Sequence, residues 1–355
     1  MAMLSPRAVE PESVVLPETR VLIVDDSAVA RAVFARICAE CPGVAIVGSL
    51  CDASAALSFL ARERVDLILL DIDMPGTDGL SALPDLLAAA EGARIIVVSA
   101  SCEEGGAAAV QAMALGAADT LAKPAPGSFG TGFSTQLADR IARLANDTGN
   151  VVSATPEAEP ETSLKPFDVI AISASTGGIH ALSQLLRAVP RDLTTPILVT
   201  QHLPPSFMPY FAAQLSLLAG RPSTVATDRQ PVLPGRVYVA PGDAHMTVAK
   251  SADGEVQLRL QRLRAASGCM PSADPMLASL AKVYGAQALA ITLSGMGRDG
   301  AMGAAALAET GAQILVQDAE SSVIWGMPGA VARAGHATAV LPPDRIGALI
   351  AGAVR

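Results

Sequence analysis

The run VLIVDD, residues 21–26, joins four apolar residues to a pair of carboxylates and leads into an alanine-rich segment with helical spacing. Four similar apolar runs follow, separated by Ala/Leu-rich segments of helical spacing, at 45–50, 67–71, 94–100 and 119–123. Strands that alternate with helices in this way pair in parallel and are covered by helices on both faces, so their apolar runs are nearly continuous. The first half of the chain is therefore predicted to form a doubly wound α/β sheet.

The composition changes over residues 146–166, which are rich in Pro, Glu, Thr and Ser and show no apolar periodicity. A structureless segment of this length is unusual inside one compact domain and typical of a linker. Alternation then resumes with strand-like runs at 168–173, 196–202, 236–242, 288–294, 312–318 and 337–342. We therefore predict two doubly wound parallel-sheet domains, at 20–146 and 167–355, joined by a linker at 147–166.

The composition of the chain also restricts the class of protein. A formal net charge of −9 at pH 7 disfavours a nucleic-acid-binding protein, which normally presents a basic face. No apolar stretch reaches the ~20 residues that span a bilayer, and the N-terminal MAMLSPRAVEPESVV lacks the apolar core of a signal peptide. The five cysteines are odd in number and dispersed, which is typical of reduced thiols. We therefore expect a cytoplasmic protein without membrane insertion.

Three carboxylates follow the first and third strands of the first half: Asp25, Asp26 and Asp71. In doubly wound sheets, ligands bind beyond the carboxyl ends of the strands, so we expect these side chains to share one crevice. Carboxylates that lie close together repel one another, and a hard divalent cation such as Mg²⁺ relieves that repulsion. Ser99 and Lys123 end the fourth and fifth strands and add a hydroxyl and a fixed positive charge. This set of residues suits a group that gains and loses negative charge.

These residues, in the motifs VDDS and LDIDMPG, resemble the receiver domain of bacterial two-component response regulators over about residues 20–146. The resemblance implies a flavodoxin-like fold in which Asp71 accepts a phosphoryl group from a histidine kinase. It also implies that Asp25, Asp26 and Asp71, with the backbone carbonyl of Asp73, hold Mg²⁺.

The resemblance further implies that Ser99 and Lys123 bind the phosphoryl oxygens. One position departs from the family pattern, because Thr120 stands three residues before Lys123, where the family usually has an aromatic switch residue. This departure leaves the phosphorylation chemistry unchanged. It removes the side chain whose rotamer usually transmits the signal.

The second half contains ISASTGGIH, residues 172–180, in which small residues follow an apolar run and precede a helical segment. Glycines at such a position often cradle a phosphate, but the loop lacks the G-x-G-x-x-G spacing of a dinucleotide site and the G-K-[ST] ending of a P-loop. The alternative is a hydroxyl nucleophile on a sharp turn, for which Ser173, Ser175 and Thr176 are candidates. Ser175 lies in the middle of the turn, where backbone N–H groups could hold an oxyanion.

A hydroxyl nucleophile needs a base and an acid that orients the base. Of the four histidines, His180 lies on the helix and is expected to face away, and His336 precedes an apolar strand on the periphery. His202 and His245 each follow a strand and remain alternatives for the base. Asp299, in the glycine-rich turn LSGMGRDGAMG, is the candidate acid, with a helix N-cap as its alternative role.

Five motifs of the second half, ISASTGG, TQHLPPSF, PGRVYVAPGDAHM, LSGMGRDGAMG and QDAESSVIWGMPGAV, resemble the catalytic domain of the chemotaxis protein-glutamate methylesterases. The order receiver, linker, methylesterase is that family's architecture. The resemblance implies a Rossmann-like domain in which Ser175 is the nucleophile, His202 the general base and Asp299 the orienting acid. It also implies that Thr176 lines the site and that the backbone of Met296 lies near the oxyanion.

A member of this family removes methyl groups from glutamate γ-methyl esters of methyl-accepting chemoreceptors, and the same route allows deamidation of receptor glutamines. Neither step needs an organic cofactor, and Mg²⁺ is expected only in the receiver. The expected partners are the chemoreceptors, at the cytoplasmic face of receptor arrays, and a chemotaxis histidine kinase as phosphodonor. A rival interpretation is an interaction protein or phosphate sink with little turnover. A receiver that drives transcription is disfavoured by the acidic charge and the lack of a helix-turn-helix pattern.

Two positions depart from the methylesterase pattern. Ser173 replaces a usual glycine two residues before Ser175. In SGCMPSADPML, residues 267–277, Pro-Ser-x-Asp is kept, but Cys269 and Met270 replace the usual His-Arg. If this segment covers the active site, as the family fold implies, a basic contact to an acidic receptor surface is lost. The choice of receptor is therefore expected to differ.

Overall fold

The computed structural model describes residues 18–100, 106–124, 129–145 and 163–353. The strands of the first unit are β1 Thr19–Val24, β2 Val44–Leu50, β3 Leu67–Leu70, β4 Arg94–Ser99 and β5 Asp119–Ala122. Its helices are α1 Ala28–Ala39, α2 Ala53–Leu60, α3 Gly79–Ala89, α4 Ala107–Leu115 and α5 Thr131–Ala145. The strands form a five-stranded parallel sheet in the order β2-β1-β3-β4-β5, which confirms the predicted doubly wound fold.

The second unit contains a larger parallel sheet. Its strands are β6 Val169–Ala174, β7 Ile197–Gln201, β8 Ser223–Val225, β9 Val237–Val239, β10 His245–Lys250, β11 Val256–Gln261, β12 Ala288–Thr292, β13 Gln313–Gln317 and β14 Ala339–Leu341. Its helices are α6 Gly178–Ala188, α7 Met208–Ala219, α8 Ala273–Val283, α9 Ala301–Ala308, α10 Met327–Arg333 and α11 Pro343–Ala353, with short 3-10 turns at Pro205–Phe207 and Gly285–Gln287. Seven strands pair in parallel in the order β14-β13-β12-β6-β7-β9-β8, as a doubly wound fold requires, while β10 and β11 form a separate antiparallel hairpin.

The central strands are buried and mostly apolar because helices cover both faces of each sheet. Every residue of β3 and of β6 is buried. The side chains on one face of the second sheet pack on α6, α7 and α11, and those on the other face pack on α8, α9 and α10. Burial on both faces explains why these strands are visible in the sequence as continuous apolar runs.

The hairpin of β10 and β11 is absent from the sequence prediction, which assigns no strand between residues 243 and 287. Its sequence lacks the apolar pattern of a buried strand, because the polar residues His245 and Thr247 are buried in β10. Their polar atoms are satisfied locally: His245 Nε2 lies 2.7 Å from the Leu263 carbonyl, and Thr247 Oγ1 donates to the Arg259 carbonyl at 3.0 Å. A buried strand with satisfied polar side chains lacks the apolar pattern that identifies a strand from sequence.

Most of the predicted linker, residues 147–162, lies outside the described residues, as do Cys102 and residues 1–17. The last part of the predicted linker packs on the second unit. Leu164 is buried in its core, and the Lys165 N–H donates to Gln313 Oε1 at 2.6 Å. Within the described ranges, no helix is long and apolar enough to cross a membrane.

The two units pack against each other through α4 and the start of β5. Ala114 of α4 is buried within the core formed by α6 and α7, and Ile324 of the second unit is buried within the core of the first. Among the residues that the structure describes, two hydrogen bonds cross this interface. The Gly177 N–H donates to the Ala118 carbonyl at 3.3 Å, and His180 Nδ1 lies 3.2 Å from the Ala114 carbonyl.

Candidate active site and phosphorylation site

The carboxyl ends of the first sheet bring together the residues predicted for phosphorylation. Asp25 directly follows β1 and Asp71 directly follows β3, and these strands are neighbours. Lys123, which directly follows β5, places its Nζ 2.7 Å from Asp25 Oδ2 and 2.6 Å from Asp71 Oδ2. Asp25 and Asp71 are buried, and Asp26 is exposed at the edge of the crevice.

Burial and charge act against each other in this crevice. Removal from water raises the pKa of the Asp25 carboxyl, although its contact with Lys123 opposes the shift. Burial alone would lower the pKa of Lys123, but its close contacts with the Asp25 and Asp71 carboxylates outweigh burial, and the pKa is raised. Lys123 is therefore a cation throughout the neutral pH range.

The same carboxylates fit a hard divalent cation. One oxygen from each of Asp25, Asp26 and Asp71 lies within 4.8 Å of the others. Oδ2 of Asp25 is buried and has no hydrogen bond of good geometry within the described ranges, although the Lys123 ammonium is close to it. Close carboxylate oxygens with an unsatisfied acceptor are the donor set that Mg²⁺ prefers.

Ser99 is joined to Asp73 beside this crevice. Ser99 Oγ donates to Asp73 Oδ2 at 2.6 Å, and the Asp73 N–H donates to Asp71 Oδ1 at 3.2 Å. Ser99 therefore lies near Asp71. To bind a phosphoryl oxygen on Asp71, as predicted, its hydroxyl must first release its hydrogen bond to Asp73. Thr120, at the position of the usual aromatic switch, is buried in β5.

Ser175 directly follows β6, the central strand of the second sheet, and its side chain is partly exposed. Its N–H donates to the Ser294 carbonyl at 3.0 Å, and its carbonyl accepts from Gln201 Nε2 at 2.9 Å. Gly177 has a φ of +74°, and a Cβ added there would lie 2.5 Å from Val323 Cβ. The left-handed backbone and the close neighbour both require glycine, which holds the turn around Ser175 in one conformation.

His202 and Asp299 meet beside this turn. Ala174 pairs with Gln201 across β6 and β7, so Ser175 and His202 leave adjacent strands at the same level. His202 Nε2 lies 2.8 Å from Asp299 Oδ2, and the Asp299 side chain is buried in the loop that follows β12. The structure therefore brings Ser175, His202 and Asp299 to one edge of the sheet.

Three donors hold the Asp299 carboxylate. Besides His202, Ser272 Oγ donates to Oδ1 at 2.6 Å and the Ala273 N–H donates to Oδ2 at 2.8 Å. Burial alone would raise the pKa of Asp299, but these hydrogen bonds outweigh it and hold the pKa well below its usual range. An ionised carboxylate only accepts, so His202 Nε2 carries the shared proton and Nδ1 is the nitrogen left as a base. Helix α9 is preceded by Gly300 and has no side-chain cap, so Asp299 is not an N-cap.

Cys269 lies beside the same histidine. One donor atom from each of His202, Cys269 and Asp299 lies within 4.8 Å of the others. Burial alone would lower the pKa of His202, but its hydrogen bonds with Asp299 and Cys269, with the negative charge of Asp299, raise the pKa to about 9. The imidazole therefore holds a second proton in most molecules at neutral pH. Within the described ranges, no hydrogen bond joins Ser175 Oγ to His202.

The other three histidines lie elsewhere. The buried His245 accepts from the Ser272 N–H at Nδ1 (2.9 Å) and contacts the Leu263 carbonyl through Nε2, so neither nitrogen is available as a base. His180 points to the first unit, away from the nucleophile turn, as the sequence predicts. His336 lies between α10 and β14, at the amino ends of the strands and opposite the site.

Backbone N–H groups are available around Ser175. Gly295 packs so closely on the turn that an added Cβ would lie 2.8 Å from Ser175 Cβ. The N–H groups of Thr176 and Met296 make no hydrogen bond within the part of the chain that the structure describes. Unpaired N–H groups beside a hydroxyl are the donors that a tetrahedral oxyanion requires.

Comparison with known proteins agrees with this arrangement. The family model for CheB methylesterase matches residues 170–350, and the model for the response regulator receiver domain matches residues 21–128. The chain belongs to the CheB methylesterase family. The predicted resemblance to both families and the predicted fold class are thereby confirmed.

Individual CheB relatives align over nearly the whole chain. The chain is 41% identical over 346 residues to protein-glutamate methylesterase/protein-glutamine glutaminase 2 of Caulobacter vibrioides, which covers 95% of this chain and 99% of that protein. It is 36% identical over 364 residues to protein-glutamate methylesterase/protein-glutamine glutaminase 1 of Rhodospirillum rubrum, with coverages of 93% and 94%. Among solved structures, the CheB methylesterase catalytic domain of Thermotoga maritima is 33% identical with a TM-score of 0.50, covering 52% of this chain and 98% of that chain.

The structure also identifies site residues that the sequence prediction does not assign. Ser272 holds Asp299, and Gln201 holds the main chain of Ser175. Both lie in motifs that carry the CheB resemblance, Pro-Ser-x-Asp and TQHLPPSF. Their position in those motifs indicates that they lie near the site. Their hydrogen-bond partners are distant in sequence, so the folded chain is needed to identify them.

Proposed function

We propose that this CheB family member is a serine hydrolase that cleaves glutamate γ-methyl esters of methyl-accepting chemoreceptors and deamidates receptor glutamines at the same site. The observation that carries the proposal is the 2.8 Å contact between His202 Nε2 and Asp299 Oδ2 beside the Ser175 turn. A base held by a buried carboxylate next to a partly exposed hydroxyl is the arrangement that activates a serine. The names of the curated relatives support both activities.

In the first step of the proposed reaction, neutral His202 takes the Ser175 hydroxyl proton at Nδ1 while Oγ attacks the ester carbonyl. The N–H groups of Thr176 and Met296 hold the tetrahedral oxyanion. The intermediate collapses, His202 returns the proton to the departing oxygen, and methanol leaves. His202 then activates water, which hydrolyses the acyl-enzyme to the free glutamate and restores Ser175. With a glutamine side chain the same steps release ammonia.

The base must be neutral to accept the proton. With the pKa of His202 at about 9, a small fraction of the molecules holds a neutral imidazole at pH 7 in this arrangement. The contact with Cys269 is one cause of the raised pKa. The arrangement therefore favours low activity at neutral pH, which suits a resting state.

We also propose that residues 20–146 form a receiver, 147–166 a linker and 167–355 the catalytic domain. A chemotaxis histidine kinase would be the phosphodonor and Asp71 the acceptor. Asp25, Asp26 and Asp71, with the Asp73 carbonyl, would hold Mg²⁺, which supplies positive charge to the transferring phosphoryl group.

Lys123 and Ser99 would bind the phosphoryl oxygens after transfer. Lys123 Nζ is already 2.6 Å from Asp71 Oδ2, so it needs little movement. Ser99 would release Asp73 to do so. The new charge on Asp71 thus changes contacts at the ends of β4 and β5.

The docked receiver accounts for regulation in this proposal. The Ala118 carbonyl accepts the N–H of Gly177, which lies two residues after Ser175. Helix α5 and the turn that contains Met296 line one cavity of about 520 Å³. The unphosphorylated receiver therefore contacts the loop after Ser175 and lies beside the turn that contains Met296, which are the proposed oxyanion-binding segments. Phosphorylation is expected to weaken this docking.

The test is the Ser175→Ala variant of the full chain, assayed by methanol release from methylated receptors. Loss of a triad nucleophile costs on the order of 10⁶ in turnover. A matched control is Ser251→Ala, which removes a serine hydroxyl in the turn between β10 and β11. Both variants should still accept phosphate from acetyl phosphate with Mg²⁺. Methanol release by Ser175→Ala at the rate of the control would contradict the proposal and favour an interaction protein or phosphate sink.

A further inference from the structure

Cys269 places a thiol where the ester hydrolysis has no use for one. One ring nitrogen of His202, Cys269 Sγ and one oxygen of Asp299 lie within 4.8 Å of one another. The thiol neither attacks the ester nor holds the oxyanion in the proposed reaction. The cluster therefore combines a nitrogen, a sulfur and an oxygen donor at the entrance to the serine site.

This donor set selects a class of cation. A thiolate and an imidazole favour borderline and soft metals such as Zn²⁺, whereas the receiver crevice offers only carboxylate oxygens and favours Mg²⁺. Three protein ligands leave the fourth position of a tetrahedral Zn²⁺ open for water. Cys269 supplies the sulfur, and its neighbour Met270 adds no positive charge that would repel the metal.

The Cys269 thiol lies in a loop that hydrogen bonds hold in place, and Sγ itself donates to the Ser267 carbonyl at 3.9 Å. The Cys269 N–H donates to Ser267 Oγ at 3.3 Å, and Ser267 Oγ donates to Ser272 Oγ at 3.2 Å. Ser272 Oγ in turn donates to Asp299 Oδ1 at 2.6 Å. This chain fixes the position of Cys269 relative to Asp299, and such outer contacts strengthen metal sites by orienting their ligands.

The ligands also have the capacity and the access that a metal needs. A carboxylate offers about four acceptor positions, and a metal at His202 Nε2 would take the position on Asp299 Oδ2 that the imidazole N–H now occupies. The His202 side chain is 16% exposed and Cys269 is half-buried, so a cation can enter from solvent. Binding would release the thiol proton, and the second proton of the imidazole where it is present, to solvent.

We propose that His202, Cys269 and Asp299 form a site for Zn²⁺ or a similar borderline transition-metal cation, and that metal bound there inhibits hydrolysis. A metal that Asp299 also ligates binds His202 through Nε2, the nitrogen 2.8 Å from Asp299 Oδ2, so the remaining imidazole proton lies on Nδ1. Inhibition follows because Nδ1 then has no lone pair with which to take the Ser175 proton. The inhibition, but not the metal binding, rests on the proposed function. The site would couple receptor adaptation to the availability of a transition metal.

Binding is tested first, without turnover, on the full-length Ser175→Ala protein titrated with Co²⁺ as a spectroscopic stand-in for Zn²⁺. We expect a thiolate-to-cobalt charge-transfer band, tetrahedral visible bands and displacement of both by Zn²⁺. Adding Cys269→Ser or Cys269→Ala should abolish the charge-transfer band. The matched control is Cys41→Ser, because Cys41 is also half-buried and has C-x-x-C spacing with Cys38. A band that persists without Cys269, or that is lost in the control, overturns the site.

Inhibition is then tested by methanol release from the chain that retains Ser175, at increasing Zn²⁺ and after addition of a chelator. We expect the inhibition to be reversible. With each protein's rate expressed relative to its rate in chelator, half-inhibition of Cys269→Ser should need at least about tenfold more Zn²⁺ than half-inhibition of the unmodified chain. Equal sensitivity of Cys269→Ser and the unmodified chain overturns the proposal. If the chelated chain releases no methanol while the cobalt spectrum depends on Cys269, the proposed function fails and the metal site stands.

Discussion

Replacing His180 by alanine is expected to loosen the docking of the receiver and raise the basal hydrolysis rate of the full chain. His180 Nε2 lies 3.0 Å from Gln184 Nε2, an amide donor, so this ring nitrogen accepts and Nδ1 carries the proton. Nδ1 then donates to the Ala114 carbonyl across the interface at 3.2 Å. The substitution removes this hydrogen bond and leaves the nucleophile turn untouched.

The size of the effect follows from the loss of one neutral hydrogen bond. Such a bond contributes a net of about 1 kcal/mol, and His180 is partly exposed, so water can replace it at the Ala114 carbonyl. Since 1.4 kcal/mol corresponds to a factor of ten, the docking equilibrium should shift about fivefold towards the open form. While the docked form dominates, methanol release by unphosphorylated protein should rise by the same factor of about five.

The assay compares the same substitution in the full chain and in a fragment that contains residues 160–355. The fragment lacks α4, so His180→Ala should leave its rate unchanged while the rate of the full chain rises. A matched control is Gln184→Ala, which removes only the neighbour of His180 on the same helix. An equal change in fragment and full chain would show that His180 acts within the catalytic domain and would refute this reasoning, as would an unchanged full chain.

Three further results are expected. Burial holds the pKa of docked His180 below its ordinary value of about 6.5, so the open form binds protons more readily than the docked form. Docking is therefore stable above about pH 6.5 and should weaken as the pH falls below it. The ratio of the full-chain rate to the fragment rate should rise as the pH is lowered from about 7.5 to about 5.5, and a constant ratio would contradict this. Acetyl phosphate with Mg²⁺ should stimulate the full chain but neither the fragment nor Asp71→Asn, and stimulation of Asp71→Asn would place the phosphorylation site elsewhere. Ser272→Ala removes a hydrogen bond to ionised Asp299 that contributes about 1.5–3 kcal/mol, so kcat should fall about 10- to 100-fold with little change in KM. Ser272→Thr should restore part of that loss if the hydroxyl is the reason for it.

The sequence predicts those parts of the structure that depend on strand order and strand ends. Asp25, Asp71 and Lys123 each directly follow a strand, and parallel strands bring such residues to one edge of the sheet. The same reasoning places Ser175 and His202 together. These positions follow from local patterns, and the family resemblance assigns a role to each.

Other features depend on contacts that no local pattern contains. Cys269 reaches His202 because the segment after β11 folds back over the carboxyl ends of the second sheet, and Ser272 reaches Asp299 for the same reason. In the sequence, His245 is a candidate base because it follows a strand. In the structure, both of its ring nitrogens contact backbone groups. Its exclusion rests on partners that become known only when the chain is folded.

The two hydrogen bonds that join the domains within the described part of the chain both end on receiver main-chain carbonyls, those of Ala114 and Ala118. A carbonyl is present whatever side chain its residue carries, so substitutions on the receiver side leave these two acceptors intact as long as the backbone path persists. These two hydrogen bonds are therefore tolerant of side-chain changes in the receiver and sensitive at Gly177, whose backbone cannot accept a side chain. Receivers exchanged between related chains should keep both hydrogen bonds wherever α4 still packs its small apolar side chains, such as Ala114, on this catalytic domain.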